Sequence, residues 1–430
     1  MIGGGPVGLA AAAHLVAAGE TPIVFERGAT VGSAVLEWAH VRMFSPWRYN
    51  IDEAARRLLL PTSWREPASE HLPTGRELVE EYLKPLSELP QIQPHIRLGV
   101  TVLSVSREGF DKMKSSGREK APFTIHIRTR EGTDEYIAAR AVIDASGTYR
   151  FPNPAGAGGL PARGEEALSA HITYGIPDVT QRHRARYSGK RVAVIGSGHS
   201  ATNALIDLVK LAAETSGPAP LWIVRRRETR ALFGGGENDQ LPARGRLGAR
   251  LRKLVTEGKL RLVTGFIVTR FESQQGGVVI HDDMNRVSLE PVDEVIVATG
   301  FRPDLSPLRE LRLDLDSTTE SPSALAPLID PNLHSCGTVY PHGAEELKHP
   351  EQDFYIVGMK SYGRAPTFLL LTGYEQVRSV VAAIRGDWDS ARKVQLILPE
   401  TGVCRTDTAD QAETCGAGGC EVSLEVAATV

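Results

Sequence analysis

Cysteine is scarce in this 430-residue chain, which has only Cys336, Cys404, Cys415 and Cys420. Four are too few for a disulfide scaffold at this size. With none before Cys336, residues 1–335 hold no C-x-x-C or C-x₄-C pair, so an internal redox disulfide there is excluded. Net charge is scarce as well. A formal −3 leaves no electrostatic reason for nucleic acid or an anionic membrane as partner. The longest apolar stretch, Leu9 to Ala18, contains His14, is too short to span a bilayer and lacks a signal peptide's basic flank and cleavage site. A cytoplasmic location is expected. No repeat of 20–50 residues is present. What is present, 41% hydrophobic and 23% charged residues, suits two or three globular domains.

Glycine loops carry the positive signal. Gly3, Gly5 and Gly8, with Pro6 and Val7 between them, fit G-x-G-x-x-G and run into a small-residue helix. In a dinucleotide-binding βαβ unit such glycines allow a tight turn, a close approach to the pyrophosphate and close helix packing. The phosphates then sit at the helix N-terminus. The next strand ends in Glu26-Arg27, and Glu26 falls 18 residues after Gly8, a spacing suited to a ribose hydroxyl. The competing reading is a solvated strand-end acid.

A second loop, Gly196-Ser197-Gly198-His199-Ser200-Ala201, follows the buried-type strand 190–195 and opens a helix over Thr202–Ala213. Strand, G-x-G-x-x-A and helix stand in the required order. Here the following strand ends in Arg225-Arg226-Arg227, which suits a 2′-phosphate where an acid would repel it. Alternatively, the three arginines are a solvated charge run. The two loops lie about 190 residues apart.

Between and after them the pattern predicts a helix over 76–86 and strands at Ile96–Val105, Phe123–Thr129 and Glu135–Ala141. A buried strand leads into Ala145-Ser146-Gly147, and another into Ala298-Thr299-Gly300. Phe233 to Gly248 reads as a long loop in which Asn238, Asp239 and Arg244 are candidate substrate contacts. A strand at 353–358 precedes a helix from Pro366 to Ile384. The fold expected is α/β, with two Rossmann-like dinucleotide-binding domains, the first discontinuous. Its boundaries are 1–160 and 306–398 for one domain and 161–305 for the other, with a flexible cysteine-containing tail at 399–430.

Two dinucleotide loops with Ala145–Gly147 and Ala298–Gly300 resemble the two-dinucleotide-binding-domain flavoproteins. Within that group the chain is similar to the class B flavin monooxygenases, particularly those of bacterial arsenic-resistance operons. The resemblance rests on Gly196–Ala201, Val295–Pro303 and Phe354–Gln376. It implies FAD on the first loop, NADPH on the second, and a return segment placing Gly358 and Met359 against the flavin. The N-terminus of the last helix would then face the flavin's pyrimidine edge. The Asn that many class B enzymes place near the oxygen-reactive flavin is not evident in the comparable stretch, Arg42–Trp47, where Trp47 is a candidate cofactor contact. The monooxygenase fingerprint F-x-G-x-x-x-H departs here, since Gly164 and His171 are separated by three extra residues.

The resemblance implies an NADPH- and FAD-dependent monooxygenase that uses oxygen on a small soft-centre substrate, such as an arsenic or antimony compound. The alternative is an NADPH-dependent FAD reductase serving a thiol or disulfide acceptor, with Cys415 and Cys420 as a tail relay. A third reading is metalloid binding by Cys404, Cys415 and Cys420, whose thiolates suit soft metals. A homodimer is a further expectation. A central strand ordinarily supplies about five residues before the first glycine. Only Met1 and Ile2 precede Gly3, so a truncated start is expected, with weaker FAD binding than in an extended form.

Overall fold

The computed structural model describes residues 1–228, 230–233, 242–274, 276–333, 342–365 and 368–396. All four cysteines, with Asn238, Asp239 and Pro366, lie outside them. The first glycine loop opens α1 (Pro6–Ala17), with Gly5 at its N-cap and Pro6 at N1. Proline suits that position because its absent N–H is one the helix leaves unpaired anyway. Ala10–Ala13 of α1 are fully buried, so the helix packs close to its neighbours.

Strand β1 (Val24–Glu26) pairs in parallel with β2 (Ile96–Leu98). The expected strand 96–105 is two strands. Gly99, at φ +68°, turns the chain, and β3 (Thr101–Arg107) joins β4 (Phe123–Arg128) and β5 (Asp134–Ala139) in a separate antiparallel sheet. The predicted helix 76–86 is helical from Gly75 to Ser87 but widens to π geometry over Leu78–Leu83. That widening immediately precedes the turn containing Pro85, which has no N–H to bond back.

Strand β6 (Val142–Asp144) joins the first parallel sheet. Ile2 bridges to both Phe25 and Asp144, with backbone bonds Ile2 N–H to Ile143 O and Ala145 N–H to Ile2 O. Met1 and Ile2 therefore occupy the central strand position between β1 and β6. The Met1 amine lies inside, and burial pulls its pKa down to about 5.

A second parallel sheet follows in the order β10-β9-β8-β14-β7: β7 (Ile172–Tyr174), β8 (Val192–Ile195), β9 (Leu221–Ile223), β10 (Arg261–Val263) and β14 (Glu294–Val297). Helix α2 (His199–Thr215) follows β8 directly, and Gly198 is its N-cap. A three-stranded antiparallel sheet, β11 (Arg270–Gln274), β12 (Gly277–Asp282) and β13 (Val287–Ser288), is inserted before β14. One expectation fails here. The second half of the supposed loop 233–248 belongs to helix α3 (Pro242–Thr256). Gly245 and Gly248 oppose a helix by propensity, but Gly248 is small because Phe233 O would lie 1.8 Å from a Cβ there.

The chain then returns to the first sheet. Strand β15 (Phe354–Ile356) pairs in parallel with β6, and helix α4 (Leu370–Ile384) packs against α1 through a shared core that includes Val377 and Val380. No helix among the described residues is long and apolar enough to cross a membrane.

Candidate active site

The ends of the first sheet's strands and the return segment enclose a cavity of about 320 Å³. Its wall brings together Gly3, Gly5, Pro6 and Val7 from the first loop, Glu26 and Arg27 from the end of β1, Ala145 and Gly147 after β6, and Gly358 and Met359 after β15. Gly8 lies behind the wall. A Cβ there would come within 2.0 Å of Gly3 O, so it serves the close helix–loop contact. Around Gly5 nothing lies within 4 Å of where a Cβ would be. The backbone is thus open to a phosphate at the N-terminus of α1.

Glu26 accepts hydrogen bonds from the Gly4 N–H at 2.8 Å and the Gly28 N–H at 2.7 Å, holding its carboxylate at the cavity edge. The Arg27 guanidinium is held below its usual range, first by burial and then by Arg150, which also lines the cavity. Burial pushes the Tyr149 phenol on the same wall up to about 12, so it stays protonated. Phe368, just ahead of α4, and Leu370, its first residue, line the cavity as well. Trp47 is different. It is fully buried in the core beside α1 and is not part of the cavity wall.

Sequence reasoning missed one pair on this wall. Lys360 Nζ donates to Asp144 Oδ2 at 2.6 Å and to Ser146 Oγ at 3.1 Å, and both members of the ion pair are about 98% buried or more. Lys360 stands beside Met359 in a stretch already singled out, but its partner is 216 residues away in sequence. No local pattern reports such a pairing. Beneath it Gln376 Oε1 accepts the Gly358 N–H at 2.7 Å, so α4 itself positions the return loop.

The second loop keeps its geometry through Gly196, at φ +137°, where a Cβ would meet Ala298 O at 2.2 Å. Ser197 and Gly198 precede α2, whose first turn contains His199, Ser200 and Ala201. The His199 ring stands 5.1 Å from Phe44. The stretch 42–47 therefore reaches the second loop through Phe44. Arg225 Nη1 donates to Ala157 O at 3.0 Å, and Arg226 is exposed beside it. Thr299 Oγ1 donates to Asn153 O at 2.7 Å, and the Asn153 N–H donates to Gly300 O at 2.9 Å. Ala298–Gly300 thus leads into a contact between the two chain crossings that join the sheets. Among the described residues no group of three His, Cys, Asp or Glu side chains could hold a metal ion.

Two glycine-loop α/β units, the first completed by a returning strand and enclosing a cavity, define an FAD- and pyridine-nucleotide-dependent oxidoreductase. Residues 1–335 match the pyridine nucleotide-disulphide oxidoreductase family, and the chain belongs to it. Ferredoxin–NADP reductase of Thermus thermophilus is 25% identical over 205 residues, 47% of this chain and 53% of that one. The match thus spans about half the length of that relative. Bacilliredoxin reductase Bdr of Bacillus subtilis is 25% identical over 331 residues, 75% of this chain and 82% of its own. Among solved structures, bacillithiol disulfide reductase Bdr (YpdA) of Bacillus cereus superposes with a TM-score of 0.66 at 20% identity, covering 90% of this chain and 97% of that one. The cadaverine monooxygenase DfoA of Erwinia amylovora, bound to FAD, gives 0.62 at 12% identity, over 93% and 96%. The fold alone thus accommodates both reductases and monooxygenases.

Proposed function

We propose that this enzyme is an NADPH-dependent FAD reductase that passes electrons to an external disulfide-type acceptor. When bound, FAD supplies the redox chemistry between the nicotinamide and that acceptor. In this reading the Gly3–Gly8 loop and the N-terminus of α1 hold the FAD diphosphate, Glu26 takes the ribose, and Ala145, Gly147, Gly358 and Met359 line the rest of the cofactor. Gly196–Ala201 takes the NADPH diphosphate and Arg225 with Arg226 the 2′-phosphate. Arg225→Ala should then raise KM for NADPH roughly tenfold or more, the cost of one charge-assisted contact, and leave KM for NADH unchanged.

The observation that supports the reading best is that residues 1–335, which include most of the cavity wall, hold no cysteine, and no described residue of the wall is one. With no dithiol in residues 1–335 to take electrons from the flavin, an external acceptor fits best. The reductase names of the relatives point the same way. The same missing thiol favours a second reading, in which oxygen is the acceptor and a small arsenic, antimony or other soft-centre compound is oxygenated. Stopped-flow mixing of the NADPH-reduced enzyme with a disulfide, and separately with oxygen, distinguishes them. Fast reoxidation by the disulfide supports the reductase. An oxygenated product formed in step with NADPH consumption overturns it. Loss of disulfide turnover in a Cys415→Ser, Cys420→Ser variant would assign the tail as relay.

A further inference from the structure

The loop at residues 155–162 is a built feature that neither glycine motif accounts for. Glu165, 1% exposed, accepts the Ala155 N–H on Oε1 at 2.8 Å and the Ala162 N–H on Oε2 at 2.7 Å, clamping both ends of the loop. Tyr174 OH donates to the same Oε1 at 2.6 Å, so the carboxylate is fully engaged. Between the clamped ends the chain turns at Gly159, φ +78°.

Three arginines from distant parts of the chain gather on this turn. Arg225 donates to Ala157 O. Arg302 donates through Nη2 to Gly159 O at 3.2 Å and through Nε to Asn153 Oδ1 at 3.1 Å. Arg364 approaches the same point, since a side chain begun at Gly159 would have the Nη2 atoms of both Arg302 and Arg364 at 3.9 Å. None of the three makes an ion pair among the described residues, and the Arg364 side chain makes no hydrogen bond to them. Like charges held together without a counterion repel one another, more strongly near a protein surface than in bulk water. Neutral carbonyls and an amide orient Arg225 and Arg302 and leave N–H donors over for a ligand, and all the guanidinium N–H donors of Arg364 are left over among the described residues.

The place is close to the chemistry. The Arg302 N–H donates to Phe151 O, and Phe151 lines the cavity. Arg364 follows four residues after Lys360, which lines it too. We propose that Arg302 and Arg364 form an anion site at the mouth of the flavin cavity that receives an acidic group of the electron acceptor. Arg225, one step further along the turn, stays with the nucleotide. The proposal rests on the acceptor reading above and adds a substrate class to it: acceptors carrying a carboxylate, phosphate or other oxyanion.

Two measurements on the full-length, FAD-loaded protein test it. The first needs no turnover: modification of arginines by phenylglyoxal, read peptide by peptide with and without inorganic phosphate. Phosphate should slow modification of Arg302 and Arg364 several-fold. Unchanged rates at both overturn the site. The second compares ferricyanide, a trianion, with menadione, which is neutral, as acceptors for NADPH. Arg364→Gln should raise KM for ferricyanide about tenfold, as loss of one charge-assisted contact does. It should leave KM for menadione and for NADPH unchanged, and Arg364→Lys should recover part of the loss. A rise in KM for NADPH, or equal effects on both acceptors, overturns the proposal. If neither acceptor is reduced, the reductase reading fails, while the phosphate footprint still decides the anion site.

Discussion

Lys360 and Asp144 are the residues on which the cavity wall most depends. Replacing Lys360 by Met leaves Asp144, 1% exposed, with a single backbone N–H from Ser146 at 3.0 Å. Removing one member of such a buried pair costs about 3–5 kcal/mol. Lys360→Met should therefore melt several degrees lower and lose FAD on gel filtration, and adding Asp144→Asn should restore part of the stability. Full stability and full flavin content in the single variant would show that the pair is dispensable. His349 makes a different prediction. Its Nδ1 accepts the Asp314 N–H at 3.2 Å, its ring lies 5.8 Å from Phe354 in β15, and burial lowers its pKa to about 4 from 6.5. Between those values the unfolded chain binds a proton that the folded chain refuses, so stability falls as pH drops from about 6.5 to about 4. The loss is on the order of 3 kcal/mol. His349→Gln should flatten that limb of a denaturation-versus-pH profile.

Among the elements, the antiparallel sheet β3-β4-β5 is tied to the return segment by charge. Glu351 takes Arg107 Nε on one oxygen and Arg118 Nη2 on the other, each at 2.8 Å, and all three side chains are buried. Arg107 also stacks over Phe123, its guanidinium carbon 3.7 Å from the ring centre. Glu351→Ala would strand two buried guanidiniums and cost about 3–5 kcal/mol, measurable as a lower urea midpoint. Because Glu351 lies just ahead of β15, proteolysis should then begin near 351–358. This is also the scale at which sequence reading erred. Alternation over Ile96–Val105 was real on both sides of Gly99, but periodicity does not report that the two halves join different sheets. In α3, Arg and Leu favour helix while Gly245 and Gly248 oppose it, and packing against Phe233 decided the outcome.

In the whole molecule, the two sheets are joined by chain crossings at 148–153 and 299–303 that bond to each other through Asn153. Its Nδ2 donates to Thr299 O at 3.3 Å and its Oδ1 accepts from Arg302. Asn153→Ala should loosen the relative placement of the two units without touching the cavity wall. Two lost hydrogen bonds of about 1 kcal/mol each should slow flavin reduction by NADPH roughly tenfold, with the bound flavin spectrum unchanged. An unaltered rate in rapid mixing would remove Asn153 from this role.

The sequence alone determined the local chemistry: two glycine loops at strand-to-helix turns, Glu26 after one and Arg225 after the other, and a returning strand and helix at 354–384. These depend on neighbours within about twenty residues, and backbone sterics allow few other uses for them. Only the tertiary structure decided which distant groups meet. It seated Ile2 between β1 and β6, buried Lys360 against Asp144, took Trp47 into the core, and gathered Arg225, Arg302 and Arg364 on one turn. Those encounters depend on how whole sheets pack, and no local spacing encodes them.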